Sequence, residues 1–128
     1  MRKVIPKEDE EQAAVVCWFE FNYPHLSSLL VASANGAHLA GSARQRAAKM
    51  AKMKKGGFKK GFPDLQLVHP NKTYSGLFIE MKRQKGGVTS PEQRQYIIDL
   101  SKQQRAANVC RGADEAIEAI KALSLIHI

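Results

Sequence analysis

Three residues of this 128-residue chain could do chemistry together: Asp64, Glu80 and Lys82. Asp64 follows Pro63. Fifteen residues then separate it from the run Glu80-Met81-Lys82. The segments on either side, Asp64 to His69 and Ser75 to Lys82, read as strands joined by a turn at Pro70-Asn71-Lys72, which predicts a hairpin. Side chains two apart on a strand point to one face. Glu80 and Lys82 therefore share a face, and Asp64 begins the neighbouring strand. Two carboxylates and an amine gathered in this way suit Mg²⁺ or Mn²⁺, hard cations that keep waters and accept phosphate oxygens. Such a cation lowers the pKa of a bound water and neutralises charge developing on phosphorus. A lysine beside it can orient that water, or accept its proton if its own pKa is depressed.

On spacing alone, an E-x-K strand is more often a solvated face with a salt bridge. Its neighbours change the balance. Phe78 and Ile79 are apolar, so the strand is at least half buried and its charges are unusual. Gly61-Phe62-Pro63 would let backbone come close to a phosphate. Basic, glycine-rich loops flank both ends: Gly56 to Gly61 before, Gln84 to Val88 after.

The elements that must position these residues follow from periodicity. Residues 8–22 predict a helix, with Glu8, Gln12, Val15 and Phe19 on one stripe, Val16 and Trp18 beside it, and acids in the first turn. Tyr23-Pro24 stops it. Leu29 to Ala34 reads as a buried strand closed by Asn35-Gly36. Residues 42–55 are rich in helix formers and end at Gly56-Gly57. Ser90-Pro91-Glu92-Gln93 opens a further helix, with Ser90 as N-cap and Gln93 completing a capping box. That helix runs to about Gln104. Asn108 to Arg111 is a short strand, and 113–123 a closing helix with Ile117, Ile120 and Leu123 inward. The order predicts one α/β domain over 1–128 with a mixed sheet flanked by helices.

Charge points to the partner. The net charge is +8, and a basic protein attracts polyanions, chiefly nucleic acid. No acid occurs between Glu20 and Asp64, whereas Arg44, Arg46, Lys49, Lys52, Lys54, Lys55, Lys59 and Lys60 all lie there. A run this one-sided suits phosphate contact better than an ordinary solvated helix face. Arg83 and Lys85 add to it beyond the second strand. No apolar run is long enough to cross a bilayer, and the charged start lacks the apolar core of a secretory signal. Cys17 and Cys110 lie in apolar segments, without zinc spacing, and read as reduced core thiols of a cytoplasmic protein.

Three blocks in order, Gly61-Phe62-Pro63-Asp64-Leu65, Gly76 to Arg83 and Ser90-Pro91-Glu92-Gln93, resemble the VRR-NUC family (virus-type replication-repair nucleases) of the PD-(D/E)xK superfamily. The likeness runs from the first helix to the last, and the segment from Asn35 to Gly57 resembles the basic insertion of short, stand-alone phage members, which places the chain in the cytoplasm of a bacterial host. It implies a restriction-endonuclease-like fold and Mg²⁺- or Mn²⁺-dependent cleavage of DNA. It carries over Asp64 and Glu80 as metal ligands, Lys82 as the catalytic lysine and the Met81 carbonyl as a further ligand. The family also has a glutamate on the first helix, a turn before a glutamine. Glu8, four before Gln12, is the preferred match, with Glu11 the alternative. Gln93 matches a family position too, although its capping role would account for it without chemistry. Stand-alone members resemble Holliday-junction resolvases and act as homodimers, which points to branched DNA. Sequence-specific restriction is a second enzymatic reading, disfavoured because so short a chain leaves little room for base-reading elements. A non-catalytic nucleic-acid-binding module is a third, against which the intact triad speaks. His25, His38 and His69 are isolated and read as non-catalytic, though His38 could touch a phosphate. Whether 124–128 packs against a partner is left open.

Overall fold

A computed structural model describes residues 4–33 and 40–123. The strand of the E-x-K pattern, β3 (Leu77–Lys82), lies in the middle of the sheet and is buried along its whole length. Leu77, Ile79 and Met81 face one side and join Val15 and Phe19 of α1 (Glu8–Asn22) and Ala116 and Ile120 of α4 (Ala113–Ala122) in the hydrophobic core. Phe78, Glu80 and Lys82 face the other side, toward α3 (Pro91–Lys102). A strand covered on both faces takes an apolar run, and the charged residues within it are the exception that needs a reason.

The sheet has four strands in the order β1 (Leu30–Ala32), β2 (Leu65–Leu67), β3, β4 (Ala106–Arg111). The first three pair antiparallel and β4 joins β3 in parallel, by way of α3. The sheet is therefore mixed and flanked by helices, as the pattern predicts. β2 and β3 are shorter than expected. The hydrogen-bonded ladder ends at Leu67 and Leu77, and the segment between them is turned on itself by Asn71, whose Oδ1 accepts from Thr73 N and Tyr74 N.

Three expectations are corrected. The segment from Leu29 is not a buried strand. Pro24–Leu29 winds into a 3₁₀ turn, and β1 is an edge strand on which Leu30 is buried while Val31 and Ala32 are exposed. Ala34 to Leu39, including Asn35-Gly36 and His38, lies outside the described residues, as does 124–128. On α4, Ala116 takes the fully buried place expected of Ile117, because Ala116, Ile120 and Leu123 form the stripe that meets the sheet. Cys110 is a buried thiol, pushed up to about 11 by burial, but Cys17 is exposed on α1.

The helix between the edge strand and β2, α2 (Ala43–Lys55), has no buried residue, and neither has α3. Ser42 caps it, with Gln45 closing the capping box. Its only half-buried side chains are Met50 and Met53. It is a basic arm without a buried apolar stripe.

Candidate active site

The hairpin brings the triad together. Leu65 pairs with Ile79, so the next step of that register sets Asp64 opposite Glu80. Asp64 is held from two sides. Its carbonyl accepts from Ser33 N (2.8 Å), and its Oδ2 accepts from Met81 N (2.8 Å). The backbone of Met81, the residue expected to lend a carbonyl, therefore runs against the Asp64 carboxylate. Lys82 Nζ stands 3.7 Å from Glu80 Oε1. Both residues are buried, Glu80 to 2% exposure and Lys82 to 8%.

Gln93 is shared between fold and site. Its Oε1 accepts from Ser90 N (2.8 Å), completing the cap of α3, while its Nε2 donates to Glu80 Oε1 (2.7 Å). The capping box thus sets one amide oxygen and leaves the amide nitrogen aimed at the carboxylate. Capping and contact with the site are compatible.

Electrostatics show what the site lacks. Burial, then the Asp64 carboxylate beside it, pushes Glu80 up to about 8, against an ordinary value of 4.5. Asp64 is raised as well, chiefly by burial. Glu80 Oε2 is buried and has no donor. Its neighbour is Asp64, another acceptor, so the pair is satisfied only when it holds a proton or a cation. Glu8 belongs to the same field: burial raises it first, then Asp64, while Lys82 draws it down.

These observations fit a divalent cation. Among the described residues no three carboxylate, imidazole or thiol groups are close enough to cage an ion unaided. A site for Mg²⁺ or Mn²⁺ does not need that, since such ions hold one or two carboxylates and fill the remainder with water and phosphate.

Glu11 is placed elsewhere. It is 6% exposed and lies in the buried stripe with Val15 and Phe19, not at its edge. Its Oε2 accepts from Ala113 N (2.7 Å), capping α4, and its Oε1 accepts from Gln84 Nε2 (3.2 Å). The spacing 11, 15, 19 carried the signal for its burial. Gln84 and Arg111 were not legible as functional. Arg111 donates to the carbonyls of Gly86 (2.6 Å), Gly87 (3.1 Å) and Arg83 (3.4 Å), and so holds the loop that carries Arg83 and Lys85 beside the triad. No local pattern marks an arginine that acts on a loop 24 to 28 residues away.

The ten basic residues expected to meet phosphate are all exposed. Arg44, Arg46, Lys49, Lys52, Lys54 and Lys55 ring α2, and Lys59 and Lys60 follow in the loop that leads to Asp64. Some already have partners. Arg46 and Lys49 donate to the carbonyls of Gly41 and Ala40, Lys60 lies 3.9 Å from Glu92, and Arg83 donates to Ile5 O. His25 is exposed and His69 half-buried, and neither meets the triad.

Comparison with known proteins gives concordant results. The family model of the VRR-NUC domain matches residues 1–114. A solved structure described as a VRR_NUC domain protein superimposes with a TM-score of 0.75, at 29% identity, over 92% of this chain and 88% of that one. No curated protein matches the chain.

Proposed function

Because the chain belongs to the VRR-NUC domain family, and so is a nuclease of the PD-(D/E)xK type, we propose that it is a DNA endonuclease that uses Mg²⁺ or Mn²⁺ to hydrolyse phosphodiester bonds in branched DNA. One observation carries the metal dependence. Glu80 is buried against Asp64 with an oxygen that no donor serves. A pair of acceptors in that position is satisfied only by a proton or a cation, and a divalent ion displaces the proton.

Asp64 and Glu80 would hold the ion, with the Met81 carbonyl beside them, and Glu8, which shares their field, would act on it through a bound water. When bound, the ion supplies charge neutralisation at the phosphate and acidifies water. The chain's own residues do the remainder. Met81 N and Gln93 Nε2 fix the two carboxylates. Lys82 Nζ, confined by burial beside Glu80, orients a water for in-line attack and stabilises charge on the equatorial oxygens. The water's oxygen forms the new bond to phosphorus, one ester oxygen leaves as an alcohol, and the strand ends in one phosphate and one hydroxyl.

The basic arm supports a nucleic-acid substrate. All eight basic residues from Arg44 to Lys60 are exposed, as a surface that neutralises phosphates requires. Branched DNA fits a small chain that reads shape and not bases. A homodimer would set two such sites about a two-fold axis, one for each strand of a symmetric junction.

The test is incubation of a labelled four-way junction with Mg²⁺ or Mn²⁺, against EDTA and against a linear duplex of the same sequence. Metal-dependent cutting confined to the junction is expected. Binding without cutting would remove the enzymatic reading, and equal cutting of the duplex would remove branched DNA as the substrate. Asp64→Ala and Lys82→Ala should each lose at least about 10²-fold in single-turnover rate. Unimpaired cutting by either would overturn its assignment.

A further inference from the structure

Beside the triad, on the α3 face of the sheet, lies a groove that the hydrolysis chemistry leaves unused. It encloses about 610 Å³ between the end of α2, the loop after it and α3, and is lined by Met53, Phe58, Lys59, Phe62 and Tyr96. Three of its eight lining residues, Phe58, Phe62 and Tyr96, are aromatic. The Phe62 ring meets Phe78 at 5.6 Å and Tyr96 at 5.4 Å, both edge-on, at 84° and 82°. Phe58, Phe62 and Tyr96 all stay half-buried. Three partly uncovered rings around one hollow are a stacking platform.

The groove is built firmly. Gly61 takes φ +89°, and a Cβ there would stand 2.7 Å from Glu92 Cβ and 2.8 Å from its carbonyl carbon. Only glycine lets the loop lie this close to the first turn of α3, which seats Phe62 against Tyr96. Both walls are also tied to the reaction centre. Phe62 is two residues before Asp64, a span of about 7 Å. Tyr96 is one turn after Gln93, which holds Glu80.

The rim names the occupant. Lys59 stands in the wall, and the last turn of α2 above it carries Lys52, Lys54 and Lys55. An apolar protein segment would gain nothing from these cations. A nucleotide answers both demands, with a flat apolar base for the rings and an anionic backbone for the lysines.

Resting on the endonuclease reading above, we propose that this groove binds one unpaired nucleobase of the strand being cut, so that the enzyme selects DNA with an unstacked nucleotide beside the scissile bond. Shape selection then has a concrete source. A fully paired duplex must break a pair to fill the groove, whereas a branch point or distorted site offers a free base at lower cost.

The experiment uses the full chain in EDTA with a four-way junction that carries 2-aminopurine at successive single positions around the branch point. Quenching is expected at one position or an adjacent pair, and an abasic nucleotide there should weaken binding about 5- to 100-fold. Phe58→Ala and Tyr96→Ala should lose both the quenching and the abasic penalty. Tyr96→Phe should keep both. Should Tyr96→Ala fail to fold, Phe58→Ala carries the test from the loop side. Uniform quenching, or an abasic nucleotide without effect, would overturn the base pocket. So would an unchanged abasic penalty in a Phe58→Ala variant that has lost self-association, since the groove would then seat a second copy. Cutting of the same DNA in Mn²⁺ reads the endonuclease proposal separately. Quenching without cutting would remove hydrolysis and leave the pocket standing.

Discussion

At the residue scale, Glu80 is the group whose behaviour is most exposed to measurement. Its carboxyl holds a proton to about pH 8 in the fold and to about 4.5 in the unfolded chain. The native state thus binds more protons between these values. The stabilising contribution is complete below pH 4.5 and is lost as pH rises through about 8. The metal-free protein should therefore melt lower at pH 8.5 than at pH 5.5, and Glu80→Gln, which never carries the charge, should melt higher than wild type at pH 8.5 by on the order of 5 °C. Saturating Mn²⁺ should reverse that order, because the ion needs the ionised carboxylate and drives the proton out. Differential scanning calorimetry with and without EDTA reads both. A Glu80→Gln melting point no higher than wild type in EDTA would argue against the strained carboxylate pair. The same variant should cut at least about 10²-fold more slowly.

At the scale of elements, α1 carries two glutamates that spacing could not separate, and packing assigns them different tasks. Glu8 shares the electrostatic field of Asp64 and Lys82. Glu11 binds the start of α4 and the loop at Gln84. Glu11→Ala should lower stability by about 1–3 kcal/mol in denaturant unfolding, as expected for an unserved buried N–H and a lost helix cap. Its affinity for Mn²⁺ should change little by comparison. Glu8→Gln should do the reverse, weakening Mn²⁺ binding in calorimetric titration with little change in stability. The basic arm is testable as a unit. Replacing Lys52, Lys54 and Lys55 with alanine should weaken junction binding and flatten the plot of log affinity against log salt by about 0.9 for each phosphate contact removed. An unchanged slope would place the DNA elsewhere.

At the scale of the molecule, cutting a junction as proposed would require one α/β layer to serve two strands. The proposed solution is pairing of two copies. Analytical ultracentrifugation at micromolar concentration should then give twice the 14.2 kDa protomer mass, and a nicked junction should appear only transiently before its partner strand is cut. A monomer that releases singly nicked junctions would overturn the pairing. Among the described residues no helix is long and apolar enough to cross a membrane.

What was legible in the chain is what local chemistry decides. The alternation around Leu65 and Leu77 specified a hairpin, and a hairpin necessarily brings Asp64 near Glu80 and puts Lys82 on the same face. Ser90-Pro91-Glu92-Gln93 specified a helix start, since each residue there satisfies a backbone group of its own turn. The length of α2 followed in the same way from its composition and the Gly56-Gly57 stop. Only the tertiary structure decided whatever depends on a contact distant in sequence. It buried β3 on both faces, which turns an ordinary E-x-K strand into a strained carboxylate pair. It made the segment at Leu30 an edge and Cys17 a surface residue. It aimed the Gln93 amide at Glu80 once its oxygen was taken by the cap, and it gathered Phe58, Phe62 and Tyr96 around one hollow. Periodicity records which face of an element is buried, but not what it is buried against. The triad's chemistry depends on what lies against it.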